Sequence, residues 1–218
     1  MIPAAFSSLS PWRLATGRAP RLLEVLAVAV LALAACSRTE PAVKFDASDI
    51  TGAKWGRDFH LVDFDGKPRS LADYRGKVVM LFFGYTNCPD ECPTTLNKMA
   101  QAVDRLGPDG SRVQGLFVTI DPARDTPAVL RNYLRAFHPS FIGLTADAAT
   151  IAATVKDFKV FDELHEPDAQ GAYTVDHSSG IFVFDSEGRL RLFMGANIWV
   201  DAMVHDLRLL LGTPAKPS

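Results

Sequence analysis

Two cysteines that lie close together are the residues best suited to chemistry. Cys88 and Cys92 fall in the stretch GYTNCPDECPTT, at residues 84–95, and three residues separate them. As thiolates, such a pair can bind a soft metal ion, or it can close to a disulfide and exchange electrons. The usual redox pair has only two intervening residues, so the wider spacing leaves a metal site and a redox dithiol both open.

The residues after the second cysteine predict a helix. Proline is tolerated in the first turn of a helix but not in its interior, so Pro93 predicts a helix start at about residue 93. Both sulfurs would then lie at a helix N-terminus, whose partial positive charge stabilises a thiolate and lowers its pKa. Asp90 and Glu91, between the cysteines, are predicted to face solvent.

A metal site needs at least one further ligand, and His177 is the best candidate. It lies in YTVDHSSGIFVFD, in a predicted turn directly before a buried strand. Loops next to strand ends carry sites more often than strand interiors do. The remaining histidines are predicted to be ordinary surface or core residues: His60, His138, His165 and His205.

The elements that must position these side chains form an α/β pattern with a sheet of mixed direction. A hairpin-like turn is predicted at Asp65-Gly66, and a second hairpin, with its turn at Glu187-Gly188, over residues 180–195. Strands without polar alternation are predicted at 76–86, 112–121 and the short FIGLT stretch. Helices are predicted at 93–106, 126–137, 147–158 and in the last stretch, NIWVDAMVHDLRLLL, with Thr126 as the N-cap of the second.

The first 35 residues are typical of an export signal. Arg13, Arg18 and Arg21 precede the apolar run VLAVAVLALAAC, which is too short for a comfortable membrane span. LAAC at 33–36 resembles a bacterial lipobox, in which Cys36 would be acylated after cleavage. We therefore expect a lipoprotein signal at 1–35, a polar membrane tether at 36–55 and one domain at 56–213.

Composition narrows the possible functions. The formal net charge is −2, with acidic and basic residues interspersed, so nothing indicates nucleic-acid binding. If Cys36 carries lipid, Cys88 and Cys92 are the only cysteines left. An exported domain stapled by disulfides needs several bridges, so this single pair is predicted to be chemical rather than structural.

Four stretches together resemble the Sco/SenC family of copper-binding proteins: GYTNCPDECPTT, FVTIDPARDTP, FIGLT and YTVDHSSGIFVFDSEG. The resemblance runs from about residue 46 to 212. It implies a thioredoxin-like three-layer fold, with a central mixed sheet flanked by helices. It also implies a copper site of Cys88, Cys92 and His177, and a role in maturing the binuclear copper centre of cytochrome c oxidase. Asn87 departs from the histidine that many relatives have at this position.

The implied ligands suit the implied metal. Two soft thiolates and one imidazole suit Cu(I), although Cu(II) stays open as cargo. The site would carry one net negative charge, which a helix N-terminus favours. The expected partners are the copper-accepting subunit of the oxidase and other periplasmic copper chaperones or thiol reductants. Because a disulfide would consume both thiolates, copper loading and oxidation exclude one another.

The DPARDT stretch also matches the family. Asp121 follows a predicted strand at its carboxyl end, where α/β proteins build sites. It is predicted either to cap the turn or to lie behind the metal ligands or contact a partner. Asp125 is predicted to solvate the turn before the next helix.

Two functions stay open under this resemblance. The chain is a copper carrier for cytochrome oxidase, or it is a thiol-disulfide oxidoreductase in which Cys88 and Cys92 reduce the cysteines of the oxidase copper site. The wide spacing and His177 favour the carrier. A peroxiredoxin-like peroxidase is disfavoured, because Tyr85 stands where such enzymes have threonine. A zinc site with three protein ligands is a further alternative.

Overall fold

The computed structural model describes residues 44–160, 162–164, 175–177 and 180–212. The predicted signal at 1–35 and Cys36 lie outside this part. The strands are β1 Ser48–Asp49, β2 Leu61–Asp63, β3 Pro68–Arg69, β4 Val78–Gly84, β5 Val113–Thr119, β6 Ile142–Thr145, β7 Asp162–Leu164, β8 Val175–His177, β9 Gly180–Phe184 and β10 Leu190–Gly195. The α-helices are α1 Glu91–Arg105, α2 Pro127–Arg135, α3 Ala148–Asp157 and α4 Val200–Leu211, and 3-10 turns cover Leu71–Tyr74 and Gly107–Arg112.

The main sheet is mixed, as predicted. Eight strands lie in the order β1-β10-β9-β4-β5-β6-β2-β3. β4, β5 and β6 run parallel, whereas β9 pairs with β4 in the antiparallel direction. Every residue of β4 and β5 is buried. Strands covered on both faces need apolar residues at every position, which explains why VVMLFFG shows no polar alternation.

The two faces of the sheet carry separate cores, which gives three layers. Successive residues of β4 alternate between them: Val78, Met80 and Phe82 face one core, and Val79, Leu81 and Phe83 the other. The first core is covered by α1, α2 and α4, and the second by α3 and the first 3-10 turn. The predicted three-layer architecture is therefore confirmed.

Helix boundaries follow their caps. The Thr126 side chain accepts a hydrogen bond from the Val129 N–H at 3.3 Å, which confirms the predicted N-cap of α2. Asp147 caps α3 in the same way through the Thr150 N–H at 3.0 Å. The predicted start of α1 at Pro93 is two residues late, because α1 begins at Glu91. Pro93 still lies in the first turn, where its missing N–H leaves no acceptor unsatisfied.

The folded domain begins earlier than the predicted boundary at residue 56. β1 pairs with β10, with Ser48 opposite Phe193. The buried carboxylate of Asp206 accepts hydrogen bonds from the backbone N–H groups of Asp46 and Ala47, at 2.9 and 2.8 Å. Residues 44–55 thus belong to the domain rather than to a tether. Their short, weakly periodic strand gave no sequence signal, because distant residues hold it in place.

A second, two-stranded sheet was not predicted. β7 pairs with β8 in the antiparallel direction, and Asp162 lies opposite His177. His177 therefore ends a short strand rather than occupying a turn, and β9 begins three residues later. Across the described ranges, no helix has the length and apolar character needed to span a membrane.

Candidate metal centre

The cysteine pair lies at the connection between β4 and α1. β4 ends at Gly84, and the loop before Glu91 carries Cys88. Cys88 is partly exposed and Cys92 is buried, and neither forms a disulfide. The backbone N–H of Cys92 donates a hydrogen bond to the Cys88 sulfur at 3.4 Å. The helix N-terminus thus acts on Cys88 through a specific N–H group, with Cys88 partly exposed and Cys92 enclosed.

Gly84 creates the room that Cys92 occupies. A Cβ atom at residue 84 would lie 2.7 Å from the Cys92 sulfur and 2.9 Å from the ring of Phe117. Both distances are shorter than real Cβ contacts allow. The last residue of β4 must therefore lack a side chain if the sulfur is to pack against the strand.

The prediction that the helix N-terminus lowers the pKa of both thiols is wrong for Cys92. Its hydrogen bond with Cys88 raises the pKa of the Cys92 thiol, and burial raises it further. A hydrogen bond with the Tyr85 backbone opposes this only in part. Because an enclosed thiolate loses its hydration, Cys92 is a neutral thiol at neutral pH, and a metal that binds it must displace a proton.

The buried carboxylate of Asp125 holds the cysteine loop through hydrogen bonds. Asp125 is 1% exposed and accepts hydrogen bonds from the Thr86 N–H at 3.0 Å and the Thr119 hydroxyl at 2.7 Å. The Thr86 hydroxyl donates to the same carboxylate. Burial raises the pKa of Asp125, and these hydrogen bonds partly offset that effect. The prediction that Asp125 solvates a surface turn is therefore wrong, since it ties the cysteine loop to β5.

Asp121 organises the neighbouring turn. It is 5% exposed, its N–H donates to the Thr119 hydroxyl at 2.9 Å, and its carboxylate pairs with the Arg124 guanidinium. Its carbonyl accepts from the Asp125 N–H at 3.0 Å. The guanidinium of Arg124 also lies over the ring of Tyr85, 5.7 Å from its centroid. The predicted turn-cap role accounts for these contacts, and a role behind the metal ligands or toward a partner stays a prediction.

His177 enters the structure through its backbone only, and its side chain lies outside the described part. β9 starts at Gly180, and Ile181 lies opposite Phe82 near the end of β4. β9 therefore begins beside the carboxyl end of β4, from which the cysteine loop leaves the sheet. The convergence of His177 with Cys88 and Cys92 stays a prediction.

The remaining described histidines have ordinary surroundings. His60 is exposed, and His138 lies 3.5 Å from Asp104. His205 Nδ1 lies 3.0 Å from an Asp46 oxygen and 2.9 Å from an Asp206 oxygen, where it helps fasten the N-terminal segment. His165 lies outside the described residues. The predictions for the three described histidines agree with these positions.

One neighbour of the cysteine pair was missed by the sequence analysis. Tyr133 of α2 packs against the core that contains Cys92, together with the partly buried Cys88. Burial raises the pKa of the Tyr133 hydroxyl, and the nearby Cys92 and Cys88 raise it further. The available signal was helical spacing, because Tyr133 follows the buried Leu130 by three residues.

Comparison with known sequences identifies one family. A family model described as SCO1/SenC matches residues 47–212. An SCO2-like protein of Rickettsia felis is 42% identical over 137 residues, which are 62% of this chain and 67% of that protein. The mitochondrial SCO2 homolog of Mus musculus is 37% identical over 153 residues, 69% of this chain and 60% of that protein. The chain thus spans about two thirds or less of these curated relatives.

Solved structures agree with this assignment. The apo Sco1 protein of Thermus thermophilus has 39% identity and a TM-score of 0.69, over 78% of this chain and 98% of that one. ScoI of Bradyrhizobium japonicum, solved with copper bound, has 35% identity and a TM-score of 0.65, over 70% and 97% of the two chains. Yeast Sco1 with copper bound has 33% identity and a TM-score of 0.67, over 75% and 91%. These likenesses confirm the predicted thioredoxin-like α/β fold.

Proposed function

The chain belongs to the SCO1/SenC family, and from that premise we propose that it is a copper metallochaperone that delivers copper to, or matures, the binuclear copper centre of cytochrome c oxidase. The observation that carries the proposal is the cysteine pair at the start of α1, with Cys88 partly exposed and Cys92 buried. One accessible and one enclosed thiol allow a metal ion to enter from the surface and to leave toward a partner.

The donor set supports copper as the cargo. Cys88 and Cys92 supply two soft sulfur ligands, which Cu(I) prefers over harder donors. The Cys92 N–H that points at the Cys88 sulfur helps to stabilise negative charge there. Relatives with 33–35% identity have been solved with copper bound. Cu(II) could use the same donors, so either oxidation state suits the proposal.

His177 is the proposed third ligand. The imidazole would complete a three-donor site with Cys88 and Cys92. The support comes from the VDHSS match and from the backbone path, since the chain enters β9 just after residue 177 at the edge where β4 ends. Asp121 is a weaker proposal as a residue behind the ligands or at a partner contact.

A second function is favoured by the unequal environments of the two thiols. In a thiol-disulfide oxidoreductase, an accessible cysteine attacks the target and a second cysteine then resolves the mixed disulfide. Cys88 accepts a backbone hydrogen bond at the surface, whereas burial helps keep Cys92 protonated. The alternative proposal is therefore that the pair reduces the cysteines of the oxidase copper site.

The location and the partners are also proposals. Residues 1–35 would direct export, and acylated Cys36 would anchor the chain at a membrane facing the bacterial periplasm. The copper-accepting subunit of the oxidase is the proposed recipient, and periplasmic copper chaperones or thiol reductants would load or reduce the pair. A relative from Bacillus anthracis with 23% identity is described as a lipoprotein, but that degree of likeness supports the fold alone.

Copper uptake by the full chain tests the proposal. The reduced protein, purified in detergent, is expected to bind about one Cu(I) per chain, and the oxidised protein far less. Cys88→Ser and Cys92→Ser should each abolish tight binding, whereas Ser111→Ala, at an exposed serine in a 3-10 turn, should not. Equal uptake by the wild type and both cysteine variants would place the metal elsewhere and overturn the proposal.

A further inference from the structure

The hydroxyl of Tyr133 is a buried polar group that the fold leaves unsatisfied. Among the described residues it has no hydrogen-bond partner, although its oxygen is shielded from solvent. Buried hydroxyls rarely stay unpaired, because each one forfeits its bonds to water. Within the same part of the chain, Tyr74 is the other tyrosine whose buried hydroxyl has no hydrogen-bond partner.

The position of Tyr133 indicates what its hydroxyl can reach. Its ring lies 6.0 Å from the ring of Phe117, centroid to centroid. The edge of Phe117 and the sulfur of Cys92 meet at one point above Gly84, at 2.9 and 2.7 Å from where a Cβ would lie. Tyr133, Phe117 and Cys92 therefore form one continuous packing unit, with Cys88 beside it.

The electrostatic surroundings agree with that packing. After burial itself, the largest influences that raise the pKa of Tyr133 are Cys92 and then Cys88. Tyr74 gives the contrast, because burial raises its pKa to about 12 while its charged neighbours are Arg69, Asp63 and Asp73. Only the first of these two hydroxyls lies close enough to the cysteine pair to respond to charge on sulfur.

We propose that the Tyr133 hydroxyl donates a hydrogen bond to the Cys92 sulfur when that sulfur binds copper as a thiolate. A neutral thiol is a weak acceptor and a thiolate is a strong one, so the bond forms as the site is loaded. Tyr133 is then a positioning residue that strengthens copper binding without being a ligand. This inference rests on the proposed copper site of Cys88 and Cys92.

Tyr133→Phe removes only the oxygen and keeps the packing of the ring. In the full-length protein, we expect it to lower Cu(I) affinity roughly tenfold, as the loss of one hydrogen bond to a charged group implies. A competing Cu(I) chelator measures that affinity. Without metal, the variant should unfold at the same temperature as the wild type or higher, because a buried unpaired hydroxyl has been removed.

Tyr74→Phe is the matched control. It also removes a buried, unpaired hydroxyl, but from the opposite core. It should leave both the Cu(I) affinity and the copper-induced rise in melting temperature unchanged, whereas Tyr133→Phe should reduce both. A change in the Cu(II)–thiolate absorption band, seen only in Tyr133→Phe, would report the altered sulfur directly.

The outcomes separate the inference from the function on which it rests. If the wild type binds copper through Cys88 and Cys92 and Tyr133→Phe binds it equally tightly with an unaltered absorption band, the inference is wrong and the copper site stands. If the wild type binds no copper, both fail. If Tyr74→Phe weakens binding as much as Tyr133→Phe, the effect is general destabilisation and the inference is again overturned.

Discussion

The backbone N–H of Cys92, in the first turn of α1, donates a hydrogen bond at 3.4 Å to the sulfur of Cys88, in the loop before that helix. The contact joins residue i+4 to residue i, so it depends on the spacing of three intervening residues. It gives the two thiols different surroundings, since the sulfur of the partly exposed Cys88 receives the helix N-terminal N–H and Cys92 is buried in the core. Both a metal carrier and a dithiol reductant can use that difference.

Gly84→Ala should disturb the packing of the Cys92 sulfur against β4. The new methyl group would lie 2.7 Å from the Cys92 sulfur and 2.9 Å from the Phe117 ring, so one of them must move. We expect a loss of about 1–3 kcal/mol in the free energy of unfolding and weaker copper binding. Urea unfolding and copper competition measure the two effects.

Gly195→Ala is the control for this substitution, because a Cβ at that exposed end of β10 meets nothing within 4 Å. It should leave both quantities close to those of the wild type. Equal behaviour of the Gly84 and Gly195 variants would show that the close packing of Cys92 against β4 is unimportant.

Asp125→Asn should loosen the cysteine loop. The carboxylate accepts from the Thr86 N–H and from the hydroxyls of Thr86 and Thr119, and an amide offers only one accepting oxygen. We expect a loss of about 1–3 kcal/mol in stability, together with faster amide hydrogen exchange over residues 85–90. Asp90→Asn, at an exposed position in the same loop, should be nearly neutral. Unchanged exchange in the Asp125 variant would remove its supporting role.

Acid sensitivity should arise in part from Asp185. Burial raises the pKa of Asp185, but hydrogen bonds from the Arg189 N–H and from the Arg189 and Arg191 side chains outweigh burial and hold the pKa below its usual 3.8. The native state thus favours the ionised form. The resulting stability is complete above the unfolded pKa and is lost as the pH falls through the lower, folded value.

Asp185→Asn should therefore cost about 2 kcal/mol near pH 7 and progressively less as the pH falls below the usual pKa of 3.8. Urea unfolding at a series of pH values measures the slope. Glu187→Gln, whose side chain is 66% exposed, should keep the wild-type slope. A constant cost for Asp185→Asn at every pH would contradict the assignment.

Apolar runs and helix caps in the sequence predicted much of this fold, because they mark long strands and helices. VVMLFFG is apolar throughout because both faces of β4 are covered, and Thr126 before Pro127 predicts a helix start by its chemistry alone. β1 could not be predicted, since Asp206, far along the sequence, holds the adjacent backbone.

The sequence predicted which residues form the candidate site, but not the burial, the pKa shifts or the packing of those residues. The spacing of Cys88 and Cys92 indicated their chemistry, yet the raised pKa of Cys92 depends on burial that only the packed structure supplies. Asp125 resembles a surface turn residue in sequence, although β5 and the cysteine loop close over it. Tyr133 gave only a helical periodicity, because its proximity to the cysteines comes from the packing of α2 against the sheet.

His177→Ala tests the central claim most directly, because a copper carrier needs a third ligand and a dithiol reductant does not. The measurement is Cu(I) affinity together with cytochrome oxidase activity in copper-limited cells that lack the native gene and express each variant. His60→Ala, at an exposed histidine, is the matched control and should behave as the wild type. We predict that His177→Ala keeps its dithiol–disulfide chemistry, loses at least about tenfold to hundredfold in copper affinity and fails to support the oxidase. Full rescue by His177→Ala alongside failure of Cys88→Ser would contradict the carrier function and favour the reductase.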